Sequence, residues 1–401
     1  LIRAPQRRLH MVEFTALLAF LTANVAFAID AILPALPQIA AELTPDAANR
    51  AQLVLTSFVL GMGLGTFFTG PLSDALGRKR TILWGALLYI LGAGLGAFSQ
   101  DLGLLLAARF VQGMGAAGPR IVTMALVRDQ YAGREMARVT SFIMMIFILV
   151  PAAAPALGQV IITAAGWRAV FAAFMLFSAC SLVWLLVRQP ETLDVSRRRP
   201  LRLGKLRAGA MEVLASREVR LYAVVLALGF GQMFALLSSA QQIFADVYGI
   251  TATFPRWFAL MALLSGLGTI LNARFVVALG MRRIVRAAYA MQIVSATLML
   301  GVLALGPLPQ WAAFGMFFAW AVSLFFMAGV TFGNLNALAM QHMGHLAGMT
   351  ASVVTALSTV LAVAIAAPIG LAFNGTPVPM VVGALLCSAA AWALMGRSPE
   401  A

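Results

Sequence analysis

Apolar runs of about 18 residues or more recur from one end of this chain to the other, each long enough to cross roughly 30 Å of hydrocarbon as a helix. Lipid offers no water to backbone amides, so every crossing segment must satisfy its own hydrogen bonds. Helices do so within one segment. A barrel would need alternating strands of about ten residues, and that pattern is absent. Composition agrees: 62% of the residues are hydrophobic and 10% charged, too little polar surface for a soluble globule of 401 residues. The expectation is an all-α membrane protein.

Hydropathy places twelve spans at 13–39, 50–76, 80–98, 102–128, 138–163, 168–188, 219–246, 254–279, 284–304, 311–336, 346–372 and 377–396. The first is long, carries Asp30, Pro34 and Pro37, and follows a tail with Arg3, Arg7 and Arg8, which reads as a retained helix and not a cleaved signal peptide. A net charge of +14 raises the question of nucleic acid, and the distribution of the charge excludes it. With the N-terminus inside, one face collects Arg78, Lys79, Arg80, Arg128, Arg134, Arg138, the basic group from Arg188 to Arg220, Arg282, Arg283, Arg286 and Arg397. The other keeps Arg50, Arg168 and Arg256. This is the positive-inside asymmetry, and it predicts a multi-pass protein with both termini in the cytoplasm. Cys180 and Cys387 lie in separate apolar spans and are expected as free buried thiols. His10, His342 and His345 are too dispersed for a metal site, and no cofactor is called for.

The longest polar stretch, 189–217, falls between the sixth and seventh spans and divides the chain into bundles at 1–188 and 218–401. Within it, residues 203–214 fit either an interfacial helix or a solvated linker. The loop after the second span reads Leu76-Gly77-Arg78-Lys79-Arg80, and the loop after the eighth reads Leu279-Gly280-Met281-Arg282-Arg283. Corresponding Gly-plus-basic turns in two six-span halves point to an internal repeat, the construction of many transporters.

Residues 70–80, Gly-Pro-Leu-Ser-Asp-Ala-Leu-Gly-Arg-Lys-Arg, resemble the signature loop of the major facilitator superfamily. The resemblance implies a gating role for Gly70, Asp74, Gly77, Arg78 and Arg80, with Asp74 bonding Arg78 or Arg80 and facing the start of the eleventh helix. Arg109-Phe110-Val111-Gln112-Gly113 is similar to the family's fourth-span motif, and Pro151, Pro155 and Gly158 resemble its antiporter motif, with Gln159 where a second Gly is usual. Small residues there allow close helix approach, while the prolines bend the span. With Asp30, Pro34 and Pro37, Val127-Arg128-Asp129 and Gly166-Trp167-Arg168, the pattern is similar to the Bcr/CflA drug-resistance branch. That implies two six-helix bundles with pseudo-twofold symmetry and proton-coupled export of bicyclomycin-, chloramphenicol- or florfenicol-type compounds.

Asp30, Arg109 and Arg120 are the charges deep in the first six spans, and each costs at least about 2.5 kcal/mol unless partnered or employed. Asp30 and Arg109 fall at matching depth and are expected to form a proton-coupling pair whose ionisation changes with water access. A static ion pair is the alternative. Arg120, three turns after Arg109, either presents a donor to the substrate or snorkels to the cytoplasmic surface. In the cavity it disfavours cations and suits neutral or acidic molecules.

Asn24, Arg120, Gln232, Phe234, Gln241, Trp320, Asn334 and Asn336 are the candidate substrate contacts, aromatic surface with a few amides being suited to an amphiphile. Paired nucleophile and base at membrane depth, which an intramembrane enzyme needs, are not in the sequence, nor is a phosphate-cradling loop. The expected partners are a small molecule, protons and lipid, for a monomer that is not an enzyme. Transport of one specific metabolite, uptake included, is the competing reading.

Overall fold

A computed structural model describes residues 9–198, 201, 203–306, 308–341, 343 and 346–397. His342, His345 and the first three arginines lie outside these. The fold is built from helices and their connections. The first expected span is broken: α1 (Met11–Asp30) stops at the aspartate, a 3-10 turn covers Leu33–Ala35, and α2 (Leu36–Leu43) resumes. Pro34 and Pro37 supply the reason, since neither has an N–H for the helical ladder. Then follow α3 (Leu53–Leu76), α4 (Arg78–Ala97), α5 (Leu102–Gln130), α6 (Gly133–Ala165) and α7 (Arg168–Arg188). The polar stretch holds a short helix, α8 (Leu203–Ala215). After it come α9 (Arg217–Gln242), ending in a π-helical turn at Ile243–Val247, α10 (Phe254–Leu279), α11 (Met281–Ala304), α12 (Gln310–Gln341), α13 (Ala347–Leu371) and α14 (Val378–Gly396).

Among the described residues eleven helical segments are long and apolar enough to cross a membrane. Helix α5 completes the expected twelve; at 29 residues it is long enough, and it is more polar because it carries Arg109, Gln112 and Arg120. Cys387 is buried, but Cys180 is exposed on α7, so one of the two thiols expected inside faces outward.

The chain forms two compact units, one running to Ala35 and including Ser57–Ala208, the other joining Leu36–Thr56 to the residues from Gly209 onward. In the first, α5 is the central post. Its Gly113 lies against the Phe58 carbonyl of α3, and its Gly115 lies against the backbone of Gly85 and Tyr89 in α4, where any side chain would collide. Phe14, Leu17, Leu18 and Leu21 of α1 pack with Ile82, Val122, Leu126, Ile143 and Leu185 into a core that joins α1, α4, α5, α6 and α7. In the second unit α9 is the post: Ser358 of α13 donates to the Ala223 carbonyl (2.8 Å), and Tyr289 of α11 donates to that of Val225 (3.1 Å).

Candidate functional site

Asp30 is the last residue of α1 and only 4% exposed. Among the described residues nothing hydrogen-bonds or ion-pairs with its carboxyl. The pair expected with Arg109 is therefore not formed as a salt bridge. Instead the fully buried Arg109 donates through Nη2 to the Ala28 carbonyl (3.0 Å) and through Nη1 to Gln112 Oε1 (2.7 Å), with its guanidinium 4.4 Å from the centre of the Phe58 ring. The physical cause is the helix break: carbonyls in the last turn of a helix lack intrahelical donors, and a rigid cation fork satisfies one of them. Matching depth was legible in the sequence; the backbone as Arg109's partner was not.

The same break is seated on α6. A side chain at Gly158 would overlap the Ala31 carbonyl, so the antiporter-like segment touches the turn that follows Asp30. Pro151 and Pro155 both lie within α6. Asn24, six residues before Asp30, is buried and donates to Ser181 Oγ on α7 (3.1 Å), while its Oδ1 has no partner among the described residues.

Arg120 is half-buried, and its Nη1 lies 3.3 Å from Met62 Sδ on α3. Met62 stands fourteen residues before the Leu76 end of α3, about 21 Å along the axis. The side chain therefore turns along α5 toward that helix's N-terminus, as helical side chains do, and does not snorkel toward the Gly77 turn.

At that turn Gly77 adopts φ 101°, open to glycine, and Arg78 starts α4. The Arg78 guanidinium is held by Asp74 (2.7 Å), Ser73 (2.7 Å) and Asp129 at the end of α5 (2.9 Å). Of the two cations expected for Asp74, Arg78 is the one bonded; Arg80 is exposed. Gly70 is half-buried in α3. Two acidic groups here were not singled out from sequence. Asp129 was noted only as part of a motif, although its place at the end of the fourth span puts it on the side of the Arg78 turn. Glu191, from the stretch after α7, accepts from the backbone N–H groups of Arg78 (2.9 Å) and Lys79 (3.1 Å), an anion on a helix N-terminus.

In the second unit Gln232 is fully buried with Oε1 accepting from Ser388 (3.1 Å), and Trp320 is buried against Phe317 (5.5 Å between rings). Gln232 Nε2, Trp320 Nε1 and Gln241 Oε1 have no partner among the described residues, so these three keep polar capacity to offer. Asn334 bonds Asn272 (2.7 Å), Asn336 bonds the Phe332 carbonyl (2.9 Å), and Phe234 packs on Phe230 (5.9 Å). The amide nitrogens of Asn334 and Asn336 are thus already engaged, and Phe234 is packed.

An amide chain was missed altogether. Gln242 Nε2 donates to Asn49 Oδ1 (2.9 Å), Gln52 Nε2 to Gln242 Oε1 (2.8 Å), and Ser239 Oγ to Gln52 Oε1 (2.9 Å). Asn49 continues to the carbonyls of Phe373 (2.7 Å) and Leu371 (3.3 Å). The chain sews the segment between α2 and α3 to α9 and α13, beside a cavity of about 260 Å³ lined by Pro37, Gln52, Ser238 and Asp246 among others.

Residues 18–367 match the Major Facilitator Superfamily family model. A bicyclomycin resistance protein homolog of Haemophilus influenzae is 30% identical over 349 residues, covering 85% of this chain and 84% of that protein. The MFS-type transporter YdgK of Bacillus subtilis is 29% identical over 374 residues, 90% of each chain. A chloramphenicol resistance protein of Pseudomonas aeruginosa is 32% identical over 254 residues, 61% of this chain and 57% of that one. A solved D-xylose-proton symporter superposes with a TM-score of 0.74 over 96% of this chain and 98% of its own at 13% identity, which speaks for the fold alone. Twelve spans, the charged Gly77 turn and this match over most of the length lead to one conclusion: the chain is a membrane transporter that belongs to the major facilitator superfamily.

Proposed function

We propose that this transporter exports small amphiphilic molecules of the antibiotic type across the bacterial inner membrane in exchange for protons. It works as a monomer by alternating access, with both termini in the cytoplasm and residues 1–188 and 218–401 as the moving halves. Drug-resistance proteins among the relatives support the substrate class. One observation carries the coupling: Asp30 is a buried carboxyl at a helix break, and no cation among the described residues pairs with it. Such a group can take a proton from the outer side and surrender it to the inner side when a substrate docks, because no cation among the described residues holds it in the charged form. Arg109 holds the backbone on which Asp30 rides. The Gly77 turn, with Asp74, Arg78, Asp129 and Glu191, closes the cytoplasmic end, and Asn24 Oδ1, Gln232 Nε2, Gln241 Oε1 and Trp320 Nε1, unpartnered among the described residues, are offered to the substrate.

Counterflow and pH-gradient-driven transport in proteoliposomes, over a panel including bicyclomycin, chloramphenicol and florfenicol, test this reading. Uptake into everted liposomes that grows with an inward-acidic gradient supports it. Transport indifferent to the gradient removes the exchange mechanism.

A further inference from the structure

We infer that Arg120 is an anion-recognition residue, and that the molecules carried best are amphiphiles bearing one negative charge. The inference deepens the transporter reading and is independent of proton coupling and of direction. Three observations converge. The guanidinium lies at the level of Met62, about 13 Å from one end of α3 and about 21 Å from the other, at membrane depth. Its hydrogen-bond partner among the described residues is a thioether, a weak acceptor that leaves the charge uncompensated. Most acidic side chains of the first unit are engaged elsewhere: Glu13 with Arg188, Asp74 and Asp129 with Arg78, Asp194 with Ser196, Glu191 and Asp101 on helix N-termini, while Glu135 is exposed in the first turn of α6. Asp30 is buried and forms no pair with Arg120 among the described residues.

A guanidinium held mid-membrane without a counter-ion is unfavourable by at least about 2.5 kcal/mol, so such a residue has a task. Snorkelling toward the Gly77 turn is excluded by its direction, and the side chain is only partly buried. What remains is an incoming acceptor. Five N–H donors in a planar fork match a carboxylate, sulfonate or phosphonate, and the apolar wall around Met62 suits the hydrocarbon or aromatic body of the same molecule.

The test is equilibrium binding to purified protein in detergent, without any gradient, of three probes that share one ring system: naphthalene-2-sulfonate, 2-naphthol and 2-naphthylmethylammonium. Wild type is expected to bind the sulfonate at least tenfold more tightly than the other two. Arg120→Gln should erase that preference while leaving 2-naphthol unchanged, and Arg120→Lys should keep part of it. Met62→Glu, which leaves Arg120 in place and gives it a carboxylate, should also abolish the preference, so the outcome does not depend on one variant folding. Equal binding of the three probes by wild type, or an undiminished preference in folded Arg120→Gln, overturns the inference. Loss of gradient-driven transport with the preference intact counts against the exchange mechanism alone.

Discussion

Arg109 donates to the carbonyl of Ala28, two residues before Asp30, and so fastens α5 to the last turn of α1. The proposed proton carrier is thereby positioned through the backbone and not through its own charge. Arg109→Lys should fail as a replacement, because a single ammonium cannot reproduce the planar fork that reaches both Ala28 and Gln112. We expect transport to fall at least tenfold and stability to drop by about 1.5–3 kcal/mol, the range for a charged buried hydrogen bond. Transport rates and thermal melting of the purified variant check it.

The contact of Gly158 with the Ala31 carbonyl makes a second prediction. Gly158→Ala must push α6 away from the turn after Asp30, at a cost of about 1–3 kcal/mol, and should slow turnover. Gly94→Ala is the control, since its nearest neighbour is Met175 Sδ at 3.6 Å. Equal melting temperatures for the two variants would contradict the packing argument.

Arg78 and Asp129 bridge the start of α4 and the end of α5 at 2.9 Å. A double-mutant cycle with Arg78→Ala and Asp129→Ala should give a coupling of about 0.5–3 kcal/mol in unfolding free energy. Glu191→Gln should cost about 1–2 kcal/mol, because it removes a charge facing a helix N-terminus and replaces one of the two acceptor oxygens that serve the Arg78 and Lys79 N–H groups with an NH2 donor.

These cases mark what the sequence makes legible. The twelve spans, the Gly77 turn and the depth of Asp30 and Arg109 are visible because hydropathy, a glycine beside basic residues and a charge in an apolar run are local signals. Partners are not local. The break after Asp30 was announced by Pro34 and Pro37, but which donor would satisfy the freed Ala28 carbonyl depends on how α5 packs. Gln241 was singled out and Gln242 passed over, although Gln242 joins Asn49 and Gln52; a one-residue step rotates a helical side chain by about 100°. Glu191 lies in a polar stretch where nothing nearby in sequence points to α4.

The amide chain yields its own prediction. Gln52→Leu strands both Gln242 Oε1 and Ser239 Oγ, at about 1–3 kcal/mol for buried groups left unpaired. Gly370→Ala should mimic it, because the new methyl collides with the Gln52 amide oxygen. Both are expected to raise hydrogen exchange in 36–56, and unchanged protection there would contradict the bracing of that segment by the amide chain.

Proton release on substrate binding is the most direct measurement of the central claim. Adding a transported compound to lightly buffered, detergent-purified protein should release protons from wild type, and Asp30→Asn, melting at a similar temperature, should still bind the compound but release none. Equal proton release from Asp30→Asn would contradict the assignment of Asp30 as the carrier.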